Sequence, residues 1–392
     1  MTLITTTERR QRLVARHHLL DRAGSVEEVA ESVVGFHSSD PVTVFLSCWA
    51  RVEGFRVEDL DEAMYDRKSL IRMLGMRRTL FVQSPGMAAI MNEACTRHLA
   101  PPQRSRLISM IEDQAVASDG DAWLEAVEAK TLEALASLGE ATAAELTRLV
   151  PELGRKLMFG EGKTWGGEVG LSTRVLFLLA TAGSIVRGRP RGSWRSSQYR
   201  WALLDGWLEG GLAEVDSDWA EAELLRRWLR SYGPGTLTDL RWWTGWTLTK
   251  TRRVLERLEV EEVELDEDGV GLVLADDLET PAIGRPSVAL LPGLDPSVMG
   301  WKERDWFLGP HQDRLFDRNG NAGPTVWVDG RIVGGWAQTP SGRISVGLLE
   351  SVDASAAASI AGEVERLEAW LGDSRFKPRF RAPLEKELAA GP

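Results

Sequence analysis

The stretch Gly233-Pro-Gly-Thr-Leu-Thr-Asp-Leu-Arg-Trp-Trp-Thr244 decides how the chain is read. A helix over Glu221 to Tyr232 precedes it. Gly245 turns the chain after it, and Thr247 to Leu258 forms a helix in the place of a recognition helix. Val260 to Leu274 then alternates apolar and polar residues about Asp268-Gly269, a strong hairpin signal. Helices joined by a tight turn and followed by a hairpin are the outline of a winged helix. This hairpin is acidic, which suits a structural unit better than a wing that reads DNA.

Two further copies lie upstream. In the middle of the chain, Ala122 to Leu138, a helix capped by Thr142 with Glu145 three residues on, and Leu171 to Gly183 supply helices. Ser184 to Leu203 supplies a hairpin turning around Arg189-Pro190-Arg191-Gly192. Near the N-terminus, Arg9 to Asp21 and Val26 to Val34 are amphipathic helices, the second opened by the capping signal Ser25-Val-Glu-Glu28. Lys68 to Val82 then reads as a hairpin turning at Gly75. Pro286 to Leu348 is rich in strands, with a turn at Asp329-Gly330. Ser355 to Gly372 is a closing helix. The expected division is 1–100, 101–215, 216–285 and 286–392, the last a small sheet or barrel. The fold class is α+β.

One stretch concentrates chemistry. Gly35-Phe-His-Ser-Ser-Asp-Pro41 places an imidazole, two hydroxyls and a carboxylate at consecutive positions, after a helix and before the apolar run Val42 to Ala50. As a bare sequence, His37 is equally an ordinary polar residue at a helix end. Asp40-Pro41 is a standard helix start.

The net charge of −11 argues against a nucleic-acid partner only if its distribution is ignored. Arg187 to Arg200 carries arginines at 187, 189, 191, 195 and 200 with no acid, and Arg77-Arg78 sit on the first hairpin. These seven are the candidate phosphate contacts. The tail Arg375-Phe-Lys-Pro-Arg-Phe-Arg381 is basic with interleaved aromatics. Trp242, Trp243 and Trp246 read as core. Cys48 and Cys95 make no disulfide framework, and the five histidines lack metal-ligand spacing. No membrane span or signal peptide is read. The expectation is a reduced, cytoplasmic, nucleoid-associated monomer with no metal or cofactor.

As a set, several motifs resemble the winged-helix DNA glycosylases of the AlkZ/YcaQ type over nearly the full length. They are Gly35 to Pro41, Trp194 to Trp201, Gly233 to Gly245, Leu291-Pro-Gly-Leu-Asp-Pro-Ser-Val-Met-Gly-Trp301, Phe316-Asp-Arg-Asn-Gly-Asn321 and Pro378 to Leu384. The resemblance implies tandem winged helices with a C-terminal β-barrel gripping duplex DNA. It also implies excision of N-alkylated, bulky or crosslinked purines, in repair or genotoxin self-resistance. The chain departs from the pattern at one place. Where the family carries Gln–aliphatic–Gln or Gln–aliphatic–Asp, it has His37-Ser38-Ser39, with Asp40-Pro41 retained. Carried over by position, His37 would orient or activate water, Ser39 would hold that water's other side, and Asp40 would assist. Two other readings stay open: a DNA-binding protein without catalysis, acting as lesion sensor or transcription regulator, and a partner-binding protein.

Overall fold

The computed structural model describes residues 1–160, 166–266 and 269–391. Asp268, half of the expected turn at Asp268-Gly269, lies outside them. Helices and sheets alternate along the chain in a mixed α+β arrangement. The local helix signals act as read. Ser25 accepts from the Glu28 N–H, Thr142 and Glu145 form a full capping box, and Thr236 does the same with Asp239. Asp40 caps the helix Pro41–Arg51, and every residue of that helix is buried. No helix among the described residues is long and apolar enough to cross a membrane.

The first two hairpins do not stand apart. Strands Phe36–His37, Leu80–Gln83, Ile71–Leu74, Ile185–Pro190, Tyr199–Leu203 and Glu140–Ala141 lie in that order in one six-stranded sheet. Arg72 opposite Arg187 is where the two hairpins join. The middle hairpin also turns later than expected. Its strands end at Pro190 and resume at Tyr199, and the Arg191 N–H donates to the Gln198 carbonyl to close the loop. Strand Thr2–Ile4 runs parallel to Val260–Leu265, which pairs with Gly269–Leu274.

The expected C-terminal barrel is an open sheet instead. Strands Val288–Leu291, Thr325–Val328, Arg331–Gln338 and Ile344–Leu348 form a simple antiparallel meander, whose first and last strands do not pair. Four short strands cannot curl far enough to close, and helices cover the apolar surface instead. Gly335 and Gly347 face each other in the ladder. A Cβ at either would press on Leu384 or Leu388 of the helix Pro383–Ala390, within 3.0–3.3 Å. The two glycines let that helix lie close on the sheet.

The main apolar core runs from Leu13 to Leu384, so the N- and C-terminal regions share one interior. A second core gathers Leu74 of the first hairpin with Leu107 to Ile185. A polar cluster fixes how the two ends meet. Arg51, at the end of the helix Pro41–Arg51, is fully buried against the equally buried Asp295, with N···O at 2.6 Å. Ser47 donates to Asp295 at 2.6 Å, and Arg51 also donates to Ser297 and to the His17 carbonyl. The His17 ring bridges Ser297 and the Ser231 carbonyl. Every strong donor and acceptor here has a partner, the condition under which a buried ion pair is tolerated.

Removing one partner leaves a buried charge alone. Asp295→Ala is therefore expected to lower unfolding stability by about 3–5 kcal/mol, read by urea denaturation. Arg56→Ala, at an exposed pair with Asp59, is expected to leave the midpoint unchanged.

Candidate active site

Val34 and Gly35 both take left-handed backbone, with φ of 52° and 88°. This sharp turn ends the helix Val26–Ser32 and drops the chain onto the edge of the six-stranded sheet. Phe36 and His37 pair with Val82 and Phe81, and the Ser38 N–H donates to the Leu80 carbonyl at 2.7 Å. A strand sends successive side chains to opposite faces. Burial alternates accordingly: Phe36, Ser38 and Asp40 are buried, while His37 and Ser39 are half-buried. His37 and Ser39 thus form the accessible pair of the motif.

The inward residues are structural. The Ser38 hydroxyl accepts from buried Arg72 at 2.8 Å, and Arg72 also donates to the Tyr65 hydroxyl and lies over the Tyr199 ring. Asp40 accepts from the Val42 N–H at 3.2 Å and from the Arg379 N–H at 2.7 Å. Burial raises its pKa, and these two hydrogen bonds oppose that. The Ser39 carbonyl accepts from the Arg379 guanidinium at 3.3 Å. The basic tail is thereby docked on the back of the motif.

His37 and Asp40 open to different spaces. Asp40 borders a cavity of about 500 Å³ between the middle hairpin and the tail, where Arg195, Lys377 and Arg379 converge. His37 borders another of about 340 Å³. Its ring packs edge-on against Phe81, and its Nδ1 is buried with no hydrogen-bond partner. Burial first, and the charge of Arg77 second, push its pKa down to about 3. The imidazole is neutral across the physiological range.

Three distant segments complete the His37 cavity. Trp242 lies in the last turn of the helix Leu237–Thr244, with the Arg77 guanidinium 4.1 Å from its ring. Asp239 of the same helix, fully buried, accepts from the Lys302 and Glu303 N–H groups at 2.7 and 2.8 Å. That pair of bonds holds Lys302 and Arg304 at the cavity wall. Asp317 accepts from the Asn319 and Asn321 N–H groups, folding a turn that presents both asparagines. Lys302 and Arg304 were not read as site residues. The motifs around Trp242 and Asn319–Asn321 carried the signal, without saying that they meet His37. Trp243 and Trp246 are core as expected, whereas Trp242 is half-exposed and lines the site.

The candidate phosphate contacts are unequal. Arg78, Arg191 and Arg200 are exposed. Arg77 is exposed at the His37 cavity. Arg189 is tied to Asp61 and Asp66, both at 3.3 Å, and lies over Tyr65. Arg195 donates to the Arg375 carbonyl. Arg187 is enclosed by Tyr199 and Trp201, and burial pushes its pKa down to about 10.

Comparison with known proteins bears on this geometry. The solved DNA glycosylase AlkZ of Streptomyces sahachiroi shares the fold with a TM-score of 0.72. The two are 21% identical, and the match covers 94% of this chain and 98% of that one. Comparison with curated proteins finds no significant match. The sequence model for AlkZ-like DNA glycosylases matches residues 30–370, which takes in the His37 strand, the helix behind it and every wall of the cavity. This chain therefore belongs to the AlkZ-like DNA glycosylase family.

Proposed function

We propose that the chain hydrolyses the N-glycosidic bond of N-alkylated purines, bulky or crosslinked, in duplex DNA, with His37 holding the attacking water. The observation that carries this reading is a neutral imidazole fixed on a strand at the edge of an open cavity.

The chemistry suits that state. Glycosidic hydrolysis passes through an oxocarbenium-like species and needs a water held on one face of the sugar. A purine alkylated at N7 is already cationic and leaves without an acid to protonate it. A depressed pKa makes His37 a weak proton acceptor, so its task is to orient water, as an amide does in relatives with glutamine there. Ser39, the other half-buried residue of the motif, is assigned to the water's second side. Asp40 acts from behind: it caps the helix Pro41–Arg51 and anchors Arg379, which fixes the loop.

Duplex binding follows from the three helix-and-hairpin units acting as winged helices. We assign Arg77, Arg78, Arg189, Arg191, Arg195 and Arg200 to phosphate contacts, with Arg187 supporting the sheet beneath them. We take the working form to be a monomer in DNA repair or genotoxin self-resistance.

The test is release of abasic sites from duplex DNA bearing N7-methylguanine, under single turnover. His37→Ala should slow release by at least about 100-fold while duplex affinity stays within about threefold. Asp40→Asn, which can still cap the helix, should cost less than about tenfold. Binding by wild type without release from any alkylpurine would replace this reading with that of a lesion sensor.

A second prediction follows from the neutral imidazole. The unfolded chain protonates His37 near its ordinary value of about 6.5, and the folded chain does so only near 3. The stability gained from the neutral form is thus complete above pH 6.5 and is lost as pH falls toward 3. In NMR titration the His37 ring resonances should stay constant from pH 8 to 5. His37→Gln should lose less thermal stability than wild type over the same range.

A further inference from the structure

The His37 cavity carries more positive charge than a pocket for a cationic base should. Arg77, Lys302 and Arg304 line it, and no carboxylate lines it among the described residues. Arg304 is the telling member. It is 7% exposed, so its guanidinium has left water. Its Nη1 is buried with no partner, and its Nε reaches only the Lys302 carbonyl, at 3.5 Å. Asp239 and Asp305 are near enough to favour its charge, yet neither forms an ion pair with it. Its other neighbours are the rings of Trp242 and Phe316, at 5.2 and 4.9 Å. A buried guanidinium with no ion-pair partner in contact is a costly arrangement, and its unpartnered Nη1 suits an anion arriving from outside.

We propose that this cavity is the seat of a backbone phosphate next to the lesion, held by Arg304 from within and Arg77 from the rim, and that the alkylated base stays outside it. The inference rests on duplex DNA being the substrate, and it says which part of the substrate enters. Planar guanidinium groups suit phosphate oxygens. A volume of about 340 Å³ accommodates a phosphodiester with its flanking sugar atoms. A cationic N7-alkylpurine would be repelled by the same three charges. With a phosphate in place, the field of Arg77 on His37 is offset, and positive charge can develop at the neighbouring anomeric carbon without opposition. The pocket thus sets the register of the strand against His37 and removes a repulsion that the free protein contains.

The test measures binding, not turnover. Equilibrium affinity and its salt dependence are compared for wild type, Arg304→Gln and Arg77→Gln. The ligand is a duplex carrying either N7-methylguanine or a tetrahydrofuran abasic analogue. Each of the two phosphates flanking the lesion is replaced in turn by an uncharged methylphosphonate. At one of these positions the replacement should weaken wild-type binding by about tenfold and lower the log–log salt slope by about 0.9. Both variants should bind the unmodified duplex correspondingly less well, should be indifferent to methylphosphonate there, and should behave alike on both lesions. Arg77→Gln, at an exposed residue, keeps the test decisive if Arg304→Gln does not fold. Wild-type affinity and slope in Arg77→Gln would overturn the proposal, as would losses confined to the duplex that still bears the base. If phosphate replacement acts as expected but wild type frees no base, the glycosylase reading fails and the phosphate seat stands. If wild type binds no duplex, both fail.

Discussion

The buried pair between Arg51 and Asp295 is the constraint on which the rest of the arrangement depends. It joins the last residue of one helix to a loop 244 positions later in the chain. At its other end that helix begins at Pro41, directly after the His37 strand. The same loop leads through Ser297 to Lys302 and Arg304 on the far wall of the cavity. One ion pair, with Ser47, Ser297 and His17 completing its hydrogen bonds, thus holds apart two walls that must face each other. An apolar contact could bind these segments as tightly. Only a geometry with every donor satisfied defines their distance so narrowly.

The site built on this frame divides labour by face. Buried Ser38 and Asp40 belong to the scaffold, bound to Arg72 and to the docked tail. His37 and Ser39 are left half-open. This alternation is a property of the strand and does not depend on which side chain stands at position 37. Burial keeps the imidazole neutral, and a neutral imidazole resembles an amide in what it can do for a water molecule. It accepts or donates a hydrogen bond without taking a full charge.

How far the sequence could be read follows the range of the forces involved. Ser25, Thr142, Thr236 and Asp40-Pro41 announce helix starts because a cap is settled within four residues. The strands of the hairpins were legible for the same reason, whereas the middle turn falls later than its local signal at Arg189 to Gly192. The joining of Arg72 to Arg187, which merges two hairpins into one sheet, depends on pairing across more than a hundred residues and left no local mark. Barrel closure failed as an expectation on the same ground, because it rests on whether the first and last strands meet. At the site, His37 was visible as an unusual residue after a turn. Arg304 was not, because its significance lies in what is missing around it, and Arg187 looked like a free contact until Tyr199 and Trp201 enclosed it.

Whether His37 holds water against the anomeric carbon of a damaged nucleotide is decided by a structure of the protein on duplex DNA carrying a non-hydrolysable analogue of an N7-alkylguanosine. A His37 ring nitrogen is expected within about 3.2 Å of an ordered water that faces C1′ of that nucleotide. A lesion sugar seated instead at the Asp40 side, with His37 turned to protein alone, would contradict it.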